Sequence, residues 1–232
     1  MLSTAGAPRV GIALLIAVTA GSALAGCGSA HKSEGPTQSA STTTSEAPGG
    51  FDISRIDQVG LQLPPESEAT PIPHAAVNEE EAKTLAGMRK DFRYDPPQCG
   101  ALLSKSTHLV AGSQIQGVTV RKPDQIVILI VESPAPVADP PDVAGCDRVA
   151  FTVPDEVKGT AERIPGPPIA GIKTTGTKTH MDLTTPEGPK TVDETTFRAE
   201  LSNRVEIAVG GKGDPARLTD LLNKAVVAVR GH

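Results

Sequence analysis

The side chains best equipped for ligation or nucleophilic attack are three cysteines (Cys27, Cys99, Cys146) and five histidines (His31, His74, His108, His180, His232). No histidine falls in a His-x-x-x-His or His-Glu pair, the spacings that put two ligands or a ligand and a base on one helix face. No His or further Cys lies at ligand spacing from Cys99 or Cys146, so no metal is assigned. His180 and Asp182 would project from one face of a strand, opposite Met181 and Leu183, and are the one pair a hydrolase could use for proton transfer. An exposed polar strand face accounts for them equally well. Gly112-Ser113-Gln114-Ile115-Gln116-Gly117 lacks the Gly-x-Ser-x-Gly elbow that forces a nucleophile into the open, and Ser29-Ala30-His31-Lys32 spells Ser-x-x-Lys where no helix would hold it. Gly210-Gly211-Lys212-Gly213 precedes a helix, where glycines can cradle an anion, but Asp214 sets a carboxylate where the anion would sit. Glu79-Glu80-Glu81 is explained as the acidic first turn of a helix. No catalytic residue and no cofactor is assigned.

Cys27 has a different setting. Arg9 is the only charge in residues 1–26, and the run from Val10 to Val18 is long enough for a signal-peptide core but too short to span a bilayer. The tetrapeptide Leu24-Ala25-Gly26-Cys27 that follows looks like a bacterial lipobox, whose cysteine thiol accepts a diacylglyceryl group. Residues 1–26 are then a lipoprotein signal peptide, and Cys27 is the lipidated N-terminus of a chain facing out of the cytoplasm. Ordinary secretory cleavage nearby would give the same compartment. Loss of Arg9 takes the net charge from −5 to −6. Each buried CH₂ of an acyl anchor contributes about 0.8 kcal/mol, and two or more chains make it durable. In that oxidising setting Cys99 and Cys146 are read as a disulfide, for which loop-closure arithmetic gives roughly 4 kcal/mol.

Residues 27–50 are the lipidated cysteine and a stretch of Ser, Thr, Gly and Pro, including Ser41-Thr42-Thr43-Thr44-Ser45, with too little apolar surface to offset its ordering entropy. They form a disordered tether with a reach of about 25 to 30 Å, and the Thr run could accept sugars. The rest, residues 51–232, is one domain.

Composition narrows what that domain does. Lys and Arg number 22 against 27 Asp and Glu, which disfavours nucleic acid as a partner. Four Phe, one Tyr and no Trp leave too few flat rings for a stacking platform.

The elements follow from periodicity. Asp214 as cap, Pro215 at the first helical position and Gly231 after the end bracket a helix whose Leu218, Leu221, Leu222, Ala225, Val226 and Val229 form one apolar stripe. A second helix is predicted over 79–92, capped by Asn78, and a short third one near Pro97 carrying Cys99, Leu102 and Leu103. Gln125 to Val131 reads as a central strand covered on both faces, joined through Lys122-Pro123-Asp124 to Val118-Thr119-Val120. Alternation marks further strands at Val149 to Val153, Met181 to Leu183, Phe197 to Leu201 and Val205 to Val209, with turns at Glu187-Gly188 and Ser202-Asn203. Residues 193–203 also fit a helix, since Phe197 and Leu201 are four apart. Residues 159–171, with Pro165, Pro167 and Pro168, read as a long loop. The expected fold is α+β: an antiparallel sheet of about five or six strands with helices packed on it.

Taken together, the lipobox, the Ser/Thr tether, Phe51-Asp52-Ile53-Ser54-Arg55-Ile56, Asp95-Pro96-Pro97-Gln98-Cys99, and Ala199 to Val205 leading into Val209-Gly210-Gly211 and an amphipathic last helix resemble mycobacterial cell-envelope lipoproteins. Within these the chain is similar to a group of uncharacterised lipoproteins whose soluble part resembles the extracellular sensor domain of the PknH kinase. The resemblance spans nearly the whole mature chain. It implies an α+β domain with a cleft between sheet and helices and a role in binding an unidentified ligand. PknH-type sensors carry two disulfides, whereas this chain can form only one, and no catalytic residues carry over. The expected function is a non-enzymatic lipoprotein, anchored through Cys27 to the outer face of the cell membrane, that binds a small or lipidic ligand or an envelope protein partner. The competing readings are an envelope hydrolase using His180 and Asp182, and a purely structural accessory protein.

Overall fold

The structure, a computed structural model, describes residues 50–100, 109–138 and 144–230. The expected signal peptide, Cys27 and the expected tether up to residue 49 therefore lie outside the described residues, as do Leu102 and Leu103. Of the short third helix, a single 3-10 turn, Pro97–Cys99, is described. Among the described residues no helix is long and apolar enough to cross a membrane.

The domain opens with a 3-10 turn, Ile53–Ile56, running into helix α1 (Asp57–Leu61). Helix α2 (Glu79–Lys90) starts with a reciprocal capping box: Asn78 Oδ1 accepts from the Glu81 N–H and Glu81 Oε2 accepts from the Asn78 N–H, both at 2.9 Å. It ends two residues before the predicted Phe92. Helix α3 (Pro215–Arg230) begins as the sequence predicts, with Asp214 Oδ1 accepting the Ala216 N–H at 2.7 Å. Its whole predicted stripe, Leu218 to Val229, is buried.

The strands are β1 (Ala69–Ala76), β2 (Arg93–Asp95), β3 (Gln114–Val120), β4 (Ile126–Glu132), β5 (Arg148–Val153), β6 (Val157–Pro165), β7 (Lys173–Thr185), β8 (Gly188–Glu200) and β9 (Val205–Gly211). They form one nine-stranded antiparallel sheet in the order β1-β3-β4-β9-β8-β7-β6-β5-β2. The α+β class stands, but five or six strands was an undercount. The missed strands carry weak signals. Pro71 and Pro73 interrupt β1, which is tolerated because β1 is an edge strand. β2 is only three residues long. β6, expected as part of a loop, is rich in Gly, Ala, Thr and charged residues, and its place in the ladder comes from pairing along its full length with β7.

Residues 193–200 are strand. From Thr185↔Gly188 at the turn to Lys173↔Glu200 at the far end, β7 and β8 pair without a break, and β9 takes the other side of β8. Helical spacing of Phe197 and Leu201 loses to two ladders of hydrogen bonds.

Two cores result, one on each face of the sheet. Phe197 and Ala199 of β8 join Ile126, Ile128, Ile130, Val205, Ile207 and Val209 under α3 and the Ile53–Ile56 turn. Val192 of the same strand joins Met181, Val149, Phe151, Val153, Val157, Ala161 and the two cysteines in the second core. Side chains alternate across an unbroken strand, so 192 and 197 point oppositely and the two cores cannot share a face. Beneath α3 the fit is close: Leu218, Leu222 and Ala225 are 0% exposed, as are Ile128, Ile130, Ile207 and Val209 opposite. The central strand β4 is not covered equally on both sides, as the sequence suggested. Its even-numbered residues are buried and Val127, Leu129 and Val131 are half-buried.

Strand order also forces long crossings. The connection from β1 to β2 runs from one edge of the sheet to the other through α2, that from β2 to β3 comes back, and that from β4 to β5 crosses again. Cys99 sits at the start of the second crossing and Cys146 at the end of the third, and they are joined in a disulfide with Cα atoms 5.2 Å apart.

Candidate functional site

His180 and Asp182 do share a face of β7, as their spacing requires, but His180 makes its close contact elsewhere. Its Nδ1 is 2.8 Å from Asp193 Oδ1, while Nε2 is 4.0 Å from Asp182 Oδ1. Asp193 is the cross-strand partner of His180. Counting back from the Glu187-Gly188 turn would have found it, had 193–203 been committed to a strand. The hydrogen bond to Asp193 raises the imidazole pKa above its ordinary value, with both carboxylates adding to it against a smaller effect of burial. The Thr191 hydroxyl, which donates to Asp182 Oδ1 at 2.8 Å, is committed to a carboxylate rather than to the imidazole. The cluster is exposed, so its chemistry is that of a surface imidazole beside two carboxylates.

The glycines of residues 210–213 are explained by packing. A Cβ on Gly210 would lie 2.6 Å from Thr196 Oγ1, one on Gly211 2.0 Å from the Gln125 carbonyl oxygen, and one on Gly213 2.8 Å from Ile126 Cδ1. Gly211 also has φ +147°, where a side chain is strained. These glycines let β9 leave the sheet against β4. Glu79 pairs with Lys83 at 3.5 Å and Glu81 closes the α2 cap, so two of the three acids have structural partners. Among the described residues no group of three or more His, Cys, Asp or Glu could hold a metal ion.

The feature that sequence reading missed is the sheet face turned away from α3. The ladder aligns Ile72, Gly117, Leu129, Ala208, Arg198, Thr175 and Pro165 in one row running across seven strands, from β1 to β6. Beside it runs Thr119, Val127, Gly210, Thr196 and Thr177. On the other side Ile115 and Val131 lead to Glu206 and Glu200. Most of these side chains are half-buried, and Ile72, though buried, belongs to neither core. The face is therefore apolar over β3 and β4, small at Gly117 and Ala208, and lined by threonine hydroxyls over β7 and β8.

Among the described residues its one deeply set cation is Arg198. Burial lowers the guanidinium pKa, partly offset by the nearby Glu206 carboxylate. Nε is sealed from solvent with no hydrogen-bond partner. Glu194, on the same face, is pushed up by burial against the weaker pull of Lys212. No sequence motif points to this face, because it exists only once residues from β1 to β9 are brought into register.

Solved structures include one fold relative, the X-ray structure of an uncharacterised protein of Mycobacterium smegmatis described as an Rv0999 ortholog. The two superpose with a TM-score of 0.59 at 20% identity, over 78% of this chain and 98% of that one. The likeness is one of fold. Against curated proteins the sequence finds no match. Residues 52–230, from the first turn of the domain to the last residue of α3, match a domain of unknown function, and the chain belongs to that family, DUF5642.

Proposed function

We propose that this is a non-enzymatic extracytoplasmic lipoprotein, held to the membrane by acyl chains on Cys27, whose domain binds a small or lipidic ligand on the sheet face turned away from α3. The observation that carries the reading is the contrast between the two faces of β4. Its α3 side is filled by side chains, whereas Val127, Leu129 and Val131 stand half-buried beside threonine hydroxyls and a desolvated guanidinium. A mostly apolar surface with a few convergent polar groups is the usual make-up of a ligand site. The resemblance of its short motifs to envelope lipoproteins of the PknH-sensor-like group supports the same role, and the lipobox-like Leu24-Ala25-Gly26-Cys27 supports the anchor. The hydrolase alternative draws less support: His180 is exposed and engaged by Asp193.

The test is to express the full chain in an actinobacterial host, recover it from membranes and analyse both the N-terminal peptide and the co-purifying lipids by mass spectrometry. The expected result is an acylated Cys27 peptide, release of Cys27→Ser into the soluble fraction, and enrichment of one lipid class. An unmodified N-terminus would overturn the anchor, and absence of any specific companion would favour a structural role.

A further inference from the structure

From the same face we infer that Arg198 anchors the acidic head of an amphiphilic ligand, a carboxylate or phosphate group whose apolar chain lies along Ala208, Leu129 and Gly117 toward Ile72. This inference rests on the ligand-binding reading above and deepens it.

Arg198 pairs with Ala208 on one side and Thr175 on the other. Both neighbours are short side chains, so the row itself leaves room beside the guanidinium. Glu200, two residues along β8, holds Lys173 at 3.2 Å. The Glu206 carboxylate acts on Arg198 through its field, and among the described residues Arg198 Nε is sealed from solvent without a hydrogen-bond partner. Taking a guanidinium out of water without giving its donors acceptors is unfavourable, and its planar fork matches two oxygens of one carboxylate or phosphate. The threonines at 175, 177 and 196 place further hydroxyl donors within one strand spacing on the same face.

The rest of the row sets the other half of the ligand. From Arg198 to Ile72 is four strand spacings, roughly 19 Å, and the residues between are Ala208, Leu129 and Gly117. Gly117 cannot carry a side chain, since its Cβ would lie 2.1 Å from the Ile128 carbonyl oxygen. The row is thus a shallow apolar strip ending in one cation, which suits a chain with an acidic terminus better than a free anion or a neutral lipid.

The experiment is equilibrium dialysis of the purified full chain against palmitate, its neutral counterpart methyl palmitate, and inorganic phosphate. The expected order is palmitate tightest, methyl palmitate at least about tenfold weaker, and phosphate alone weak and a poor competitor; one charge-assisted contact is of that size. Arg198→Gln should reduce palmitate binding to the level of the ester and leave ester binding unchanged. Leu129→Trp, which fills the strip without touching the cation, should weaken both. Thermal melts of each variant check the fold. Equal binding of palmitate and its ester, or palmitate binding unaffected by Arg198→Gln, overturns the anchor while leaving a lipid-binding face intact. Phosphate binding as tight as palmitate overturns the amphiphile in favour of a small-anion site. Binding of none of the three overturns this inference and removes the lipidic form of the reading above.

Discussion

Val192 and Phe197 stand on the same unbroken strand, an odd number of residues apart, and face opposite sides of the sheet: Val192 enters the core around the disulfide, and Phe197 the core under α3. β8 is therefore the seam at which the buried face of the sheet changes sides. A domain with two cores joined through one pair of long strands has separable responses to damage, and the first two predictions follow from that.

Leu221→Ala under α3 and Phe151→Ala in the second core should each destabilise strongly, by about 2–5 and 3–5 kcal/mol respectively. Because they sit in different clusters, the double variant should equal the sum of the two within about 0.5 kcal/mol. Urea melts of the four proteins measure this, and a large coupling energy would contradict two separate cores.

The two cysteines of the Cys99–Cys146 bridge lie in the second core, while the span of 47 residues between them carries β3 and β4 of the first. Replacing both cysteines by alanine should cost about 2–4 kcal/mol. Hydrogen exchange should locate the loss: amides of β5 and β6 lose protection first, while those of α3 follow only at global unfolding. Uniform loss across the domain would show that the bridge serves both cores equally.

His180 should titrate above its ordinary value of 6.5, because Asp193 hydrogen-bonds it. A folded-state pKa raised above the unfolded one contributes stability that is fully present below about pH 6.5 and fades as pH rises through the folded value. NMR titration of the imidazole should show the midpoint falling markedly in Asp193→Asn and less in Asp182→Asn, whose carboxylate is farther away. Equal shifts in the two variants would contradict the geometry.

Glu194 has the opposite meaning for stability. Burial raises its carboxyl pKa, so the ionised form is disfavoured in the folded state and the folded protein is penalised above the ordinary value of 4.5. Glu194→Gln should raise the melting temperature at pH 7 by up to a few degrees, and the gain should disappear near pH 4. A loss of stability at pH 7 would mean that Lys212 outweighs the burial.

Local order made several features legible in advance. The cap at Asp214, the stripe from Leu218 to Val229, the Asn78 cap with its acidic first turn, and the Lys122-Pro123-Asp124 turn depend on neighbours within a few residues, and each stands where spacing placed it. The pairing of Cys99 with Cys146 was legible too, by elimination once Cys27 was set aside. Strand number was not: β1, β2 and β6 have little apolar alternation of their own and are strands because a neighbouring ladder accepts their backbone. The Asp193 partner of His180 needed the register of a hairpin whose second arm was ambiguous between helix and strand.

By itself, then, the sequence determined the two long helices with their caps and the α+β class, because these depend on periodicity and on near neighbours, and it left one pairing for Cys99 and Cys146. Tertiary structure alone decided which face of β8 is buried at each end, and hence that there are two cores. It also decided that Arg198, an ordinary exposed-looking arginine between Phe197 and Ala199, would be sunk into a face assembled from β1 through β9. The physical reason is that burial of a strand residue is set by what crosses over it, and the three crossings between the halves of this sheet join residues far apart in the chain.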